Sequence, residues 1–375
     1  MSLRIAGTGW VTPLGRGLEV VWGRLLSGDE ALAQPISDAL EKQSYSVFPV
    51  PTAVLKGLPA HPRLRRASAI SRFAAAAGLD ALVDAGVRIN PENSRRMALV
   101  FAISNGGVIY TKRFYHDVVG LGAQSASPLL FPETVFNAPA SHLAAILGIT
   151  GASYTLVGDG AVGVLAMKMA VDLMANEAVD YCLVVGAEEA DWLLCDAYHK
   201  WRLLRAQPPI EPFRQSPKGM ILSEGAGAVL LAREGRVEMD MVDPGANFSR
   251  RRQASQSLSR ILSNLANERS EIIIASANGT FIDLAESSAV LREMPDALVY
   301  APKPAVGESV GASAIWQIIV GAQALRTQQL PPLLHSNGEI PLRFSERTVT
   351  ATPMQRIVIL SCGLNQQIAG LRLSI

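Results

Sequence analysis

The chain has 375 residues, 49% of them apolar, and 34 Lys and Arg against 33 Asp and Glu leave a net charge of +1. That length can bury a substantial core, and so even a balance excludes a strong bias toward nucleic acid or acidic surfaces. No uncharged run is long enough to span a bilayer, and Gly7, Gly9, Pro13 and Gly15 interrupt the opening apolar stretch, so neither a membrane segment nor a signal peptide is expected.

The first element with a sharp signature is the stretch Gly151–Val157, which reads as a strand. It runs into a glycine-lined elbow, Gly158-Asp159-Gly160-Ala161, and then into an apolar helix from Val162 to Ala175 whose only charges, Lys168 and Asp172, lie four apart on one edge. A second strand, around YCLVVGA, ends at Gly186-Ala187-Glu188. An elbow that feeds a buried helix N-terminus is where many enzymes mount a nucleophile, because free N–H groups and the dipole stabilise negative charge there. This elbow holds no Cys, Ser or Thr. Asp159 could be a catalytic carboxylate, or it could cap the helix behind it.

Further along, DWLLCDAYHKW reads as a helix on which Cys195 and His199, four apart, could face each other as a Cys-His pair; the plainer reading is an inert Cys195. Cys182, mid-strand among apolar residues, reads as a core thiol. Gln253 to Glu268 has the period of an amphipathic helix, Glu271–Ala277 reads as a strand, and Ser309 to Thr327 reads as a helix. Strands alternating with long helices place the chain in the α/β class. The three scattered cysteines fit a reducing compartment, hence a cytoplasmic location, and the five histidines show no metal-ligand spacing. Arg250-Arg251-Arg252 and Lys200, Arg202 and Arg205 could meet an acidic partner or simply be solvated.

The Gly151–Ala190 stretch resembles the β-ketoacyl-acyl-carrier-protein synthases (ketosynthases) of the thiolase fold, in which the same strand, elbow, helix and strand carry the nucleophilic Cys. The resemblance extends over the whole chain. Ile5 to Gly15 with VVWGRLLSGDEAL, Arg72-Phe73 with AAAAGLDALVDAG, and FPETVFNAPASHLAAILGITG all match in order. So do Pro212-Phe213 with Gly219 and SEGAGAVLL, and Pro331-Pro332. It implies two pseudo-repeated α/β halves, 1–232 and 233–375 with Glu234-Gly235-Arg236 near the join, stacked as α-β-α-β-α layers.

Laid on the family's motifs, its Cys falls on Gly160 and its two catalytic His on Asn278 and Glu308, while its Lys survives as Lys303. The C-terminal glycine-rich turn reads Ser361-Cys362-Gly363-Leu364-Asn365-Gln366-Gln367, with Leu364 at the gating aromatic and Cys362 at a packing Phe. Glycine cannot form a thioester, and Glu308, at the expected helix N-terminus, would stay ionised and oppose the developing enolate. No catalytic residue and no cofactor is therefore expected. The old pocket would be lined by Asp159, Gly160, Asn278, Thr280, Lys303, Glu308, Cys362, Gly363 and Leu364. Tyr110, Phe114, Phe131, Phe136 and His142 fall where the family places dimer-interface and tunnel residues, though the aromatics could equally be core.

The resemblance is then to a chain-length factor: a ketosynthase homologue without ketosynthase activity of its own, partner to an active synthase in bacterial fatty-acid, polyketide or aryl-polyene-type synthesis, and meeting an acyl carrier protein. The alternatives are a hydrolase or acyltransferase using Asp159, Glu308 or Cys362, and a non-catalytic acyl- or carrier-binding homodimer.

Overall fold

The computed structural model describes residues 3–38, 42–65, 67–266, 272–349 and 353–375. Strands rich in Val, Ile, Leu and Ala, buried on both faces, need helices on either side, and that requirement organises the fold. Among the described residues the strands Ser153–Val157, Met97–Ile103, Tyr181–Glu188, Gly225–Ala232 and Leu3–Thr12 lie side by side in that order. The strands Leu298–Tyr300, Ile272–Ile274, Arg356–Cys362, Gln367–Ser374 and Val237–Asn247 repeat the pattern. Numbered by appearance within its set, each reads third, second, fourth, fifth, first. In both sets the second strand runs parallel to its two neighbours and the fifth antiparallel to its own. The sets join through antiparallel pairing of Leu3 with Met239.

Two helices, Val162–Met174 and Ser313–Thr327, lie against strands of both sets. Every residue from Ser313 to Leu325 is buried, as befits a helix apolar all round. The two helices pack backbone-close, since a Cβ on Gly163 would stand 2.8 Å from the Ala314 Cβ. Ala69–Asp84 covers the first set from outside, while Arg251–Leu265 covers the second and packs on Phe281–Glu293. The layering is the α-β-α-β-α arrangement expected of a thiolase-type fold.

Local differences from the sequence reading have physical causes. The last central helix starts at Ser313 rather than Ser309, because Val310 takes φ 32° and the Ser313 hydroxyl already accepts the Ser309 N–H at 2.9 Å. The amphipathic helix runs Arg251–Leu265, opened by Gln253 Oε1 accepting the N–H groups of Ser249 and Arg250. The expected ends Glu268 and Glu271 lie outside the described residues. As expected, the wet edge of Val162–Met174 carries a Lys168–Asp172 ion pair.

Candidate functional site

The edge strand Ser153–Val157 delivers the chain to the elbow, and the helix begins at Val162 with Ala161 as its cap residue and no side-chain cap. Asp159 therefore does not cap this helix. Its carboxylate crosses to the turn after the strand Arg356–Cys362, accepting the N–H groups of Leu364 (3.1 Å) and Asn365, while its own N–H donates to Gln367 Oε1 at 2.9 Å. Burial, with a smaller contribution from the charge of Glu308, raises its pKa above the ordinary Asp range, and the backbone donors pull it back down. The carboxylate occupies the space a Cβ on Gly363 would need. Ser361 Oγ donates to the Gly160 carbonyl at 2.9 Å, tying the elbow to the same strand. At Gly160 itself a Cβ would stand 3.2 Å from Gly363 Cα, so even a small side chain would press on the turn.

Glu308 is 1% exposed and both its oxygens are occupied. Oε2 accepts from Lys303 Nζ and from Asn278 Nδ2, each at 2.7 Å, and Oε1 accepts the Val310 N–H at 3.1 Å. The other end of the Asn278 amide accepts from Thr280 Oγ1 at 2.6 Å. Asn278, Thr280, Lys303 and Glu308 thus form one closed polar cluster in the core. This corrects the expectation that Glu308 sits at a helix N-terminus: the charge opposite it is Lys303, not a helix dipole. Asp159 and Glu308 feel each other's charge but, among the described residues, share no hydrogen-bond partner, so they do not assemble as an acid/base pair.

Sequence reasoning missed two buried carboxylates beside this cluster. Asp283 accepts the N–H groups of Phe213, Asn278 and Gly279, and burial holds its pKa at about 6 against those donors. Glu286 accepts both the N–H and the hydroxyl of Ser276 and is pushed by burial to about 7. Two carboxylates three apart in the apolar run FIDLAESSAVL were the available signal. Glu188, buried at about 8, accepts the N–H groups of Ser104 and Asn105 beside the elbow.

The cysteines are packing groups. Cys362 is 1% exposed, with its thiol pushed well up by burial and by the charges of Glu286 and Asp159. Burial drives the Cys182 and Cys195 thiols up to about 12. Among the described residues no hydrogen bond joins Cys195 to His199, whose ring instead rests on Tyr45 at 5.4 Å. In the folded protein at pH 8 all three thiols should resist iodoacetamide, and intact mass should show three additions only after denaturation. Rapid single labelling of the native chain would contradict this assignment. Among the described residues no group of three or more His, Cys, Asp or Glu is arranged to hold a metal ion.

Above the elbow opens a cleft of about 450 Å³ lined by Asn105, Asp159, Tyr198, Trp201, Leu364 and Gln367. A second, of about 290 Å³, lies across the turn against Phe248 and Arg251, and Trp201, Leu364, Asn365 and Gln366 line both. A larger groove near Trp22 lies elsewhere, and its Arg326 and Arg236 are tied to Asp84. The basic residues flagged in the sequence divide. Lys200 pairs with Asp196 and Arg205 with Glu211, and Arg251 lies over the Phe281 ring, while Arg202, Arg250 and Arg252 are exposed and adjoin in sequence the residues Trp201, Leu203, Ser249 and Arg251 that line the second cleft.

Of the interface candidates, Tyr110 and Phe114 lie on the helix Val108–Leu121, which contains no buried residue, and His142 on the helix Ala138–Leu147. Phe131 and Phe136 are exposed, and Tyr110 and Phe114 are half-buried, the latter against Phe131 at 5.6 Å. Core packing in the isolated chain is therefore the wrong reading for the two exposed rings. His142 Nε2 meets Glu133 Oε1 at 2.6 Å in a mostly buried pair. The neighbouring edge strand Ser153–Val157 pairs only with Met97–Ile103 among the described residues.

Residues 2–236 match the family described as "Beta-ketoacyl synthase, N-terminal domain", and the chain belongs to the beta-ketoacyl synthase family. It is similar to 3-oxoacyl-[acyl-carrier-protein] synthase 2 of Vibrio cholerae, at 23% identity over 88% of this chain and 87% of that protein. Nodulation protein E of Rhizobium leguminosarum bv. trifolii is 26% identical over 60% of this chain and 57% of its own. In fold it matches "The ishigamide ketosynthase/chain length factor", with a TM-score of 0.87, 20% identity and coverage of 100% and 98%. It also matches a type II polyketide synthase ketosynthase in complex with its acyl-carrier protein, "AntDE:AntF", at a TM-score of 0.83, 14% identity and coverage of 100% and 99%.

Proposed function

We propose that this chain is a catalytically silent ketosynthase homologue that works as a chain-length-factor-like subunit beside an active synthase. The observation that carries the reading is Glu308 bound to Lys303 and Asn278, at the positions where the resemblance puts the second catalytic His, the Lys and the first catalytic His. A ketosynthase aims two imidazole donors at a thioester carbonyl, and here the corresponding groups satisfy one another. Gly160 offers no nucleophile, and burial holds the nearby Cys362 thiol protonated. Asp159 and Glu308 are each fully engaged, which weighs against a rewired hydrolase. Curated relatives named as synthases argue for the frame and for chemistry built on acyl carrier proteins; the departures at 160, 278 and 308 argue against that chemistry in this chain.

The two halves, 1–232 and 233–375, act as one scaffold in this reading. The partner synthase seats on the face made by Val108–Leu121, Phe131, Phe136 and the edge strand. An acyl carrier protein approaches the second cleft, where Arg202, Arg250 and Arg252 would meet its acidic surface. The work is done in the cytoplasm.

The test is co-expression with candidate synthases. The purified chain alone should neither take up an acyl group nor condense malonyl units. With its partner it should give a stable 1:1 complex whose product length changes when Phe131 is replaced by Ala or Trp. Acyl-thioester turnover by the isolated protein, lost on Glu308→Ala, would overturn the proposal.

A further inference from the structure

The turn Gly363–Gln366 is the wall shared by the two clefts, and most of its hold comes from outside itself. Gln366 takes φ 87°, a left-handed conformation that is costly for a residue with a Cβ, and Asn365 and Gln366 are exposed. One hairpin bond, Gly363 N–H to Gln367 O at 2.7 Å, and one outer contact, Phe248 N–H to Gln366 O at 2.9 Å, fasten its ends. The amides at its apex, Leu364 and Asn365, both donate to Asp159, from the elbow of the other half. Asp159 is gripped in return through Gln367 Oε1, and its carboxylate fits only because residue 363 has no side chain.

We propose that Asp159 is a latch that holds this turn shut. The carboxylate fixes the turn in the position that keeps the two clefts apart, keeps Leu364 packed inward, and seals the core cluster of Cys362, Asn278 and Glu308 from solvent. Without the latch the turn swings outward, the clefts merge, and the passage to Cys362 opens. The site is then closed as well as empty, which goes beyond the partner-subunit reading and does not depend on it.

The test uses the full chain with Asp159→Ala and Asp159→Asn. Amide hydrogen exchange at Leu364 and Asn365 should accelerate roughly tenfold or more for each charged hydrogen bond lost, more in the Ala variant than in the Asn variant, whose amide oxygen can still accept one bond. Exchange in Val162–Met174 and in Arg356–Ser361 should keep its original rate. In the same variants iodoacetamide should label Cys362 at least tenfold faster, while Cys182 and Cys195, both fully buried, stay protected and report that the fold is intact. Unchanged exchange at Leu364 and Asn365 would overturn the latch. So would acceleration spread over the helix and strand with all three thiols labelled alike, which marks a general loss of stability. If the Ala variant does not fold, the Asn variant decides by the same criteria. No partner or acyl group enters the measurement, so its failure is separable from failure of the proposed function.

Discussion

Lys303→Met should cost about 3–5 kcal/mol of folding stability, the penalty for breaking a buried ion pair by removing one partner. Lys303 and Glu308 are each only 2% exposed at the side chain and 2.7 Å apart, so a charge left alone there stays desolvated. At the usual unfolding entropy per residue, a chain this long should melt about 4–6 °C lower. Glu308→Gln should cost less, because Lys303 also lies in the field of the buried Asp283 and Glu286 and would turn to them. The double replacement Lys303→Met with Glu308→Leu should recover most of the loss, since a well-packed apolar pair is often as stable as a buried ionic one. Thermal denaturation of the four proteins measures the cycle. Single variants within 1 kcal/mol of the parent would mean that the cluster is not the sealed ion pair described above.

On the proposed partner-subunit reading, Tyr154→Lys combined with Val157→Lys should strongly weaken subunit pairing. These residues are 45% and 51% exposed on a sheet edge with one side unpaired among the described residues. A free edge is a template for another strand, and lysines placed along it are the standard obstacle to such pairing. Association, with itself or with the synthase, should weaken by a hundredfold or more, equivalent to about 3 kcal/mol. Sedimentation velocity over a concentration series reads this directly. Unchanged association would place the interface elsewhere, and the Phe131 and Phe136 face would then need another explanation.

The frame was legible in the sequence because it rests on local signals. Glycine at 160, the apolar run after it and the paired charges at 168 and 172 announced the elbow and its helix, and the structure keeps them where they were expected. What could not be read was which distant groups would meet. Asp159 looked like a helix cap because capping is the local use of an Asp at that position, yet its partners lie 205 and 206 residues away. Glu308 looked exposed to a helix dipole because the helix start was placed four residues early, and its true counter-charge, Lys303, sat only five residues away in plain view. The buried carboxylates Asp283 and Glu286 were overlooked because, the Ser276 hydroxyl aside, their donors are backbone N–H groups, which leave no mark in a sequence.

The repeated strand order sends one central helix out of each half, and the elbow of the first meets the polar cluster of the second. Under the silent-subunit proposal, a ketosynthase triad could be built here only by coordinated genetic change on both sides of that contact: a sulfur at 160, room made for it at the 363 turn, imidazoles at 278 and 308, and a new neighbour for the ammonium of Lys303. Under that proposal a change of any one codon would be silent in an activity screen, because the geometry of the core sets the remaining requirements.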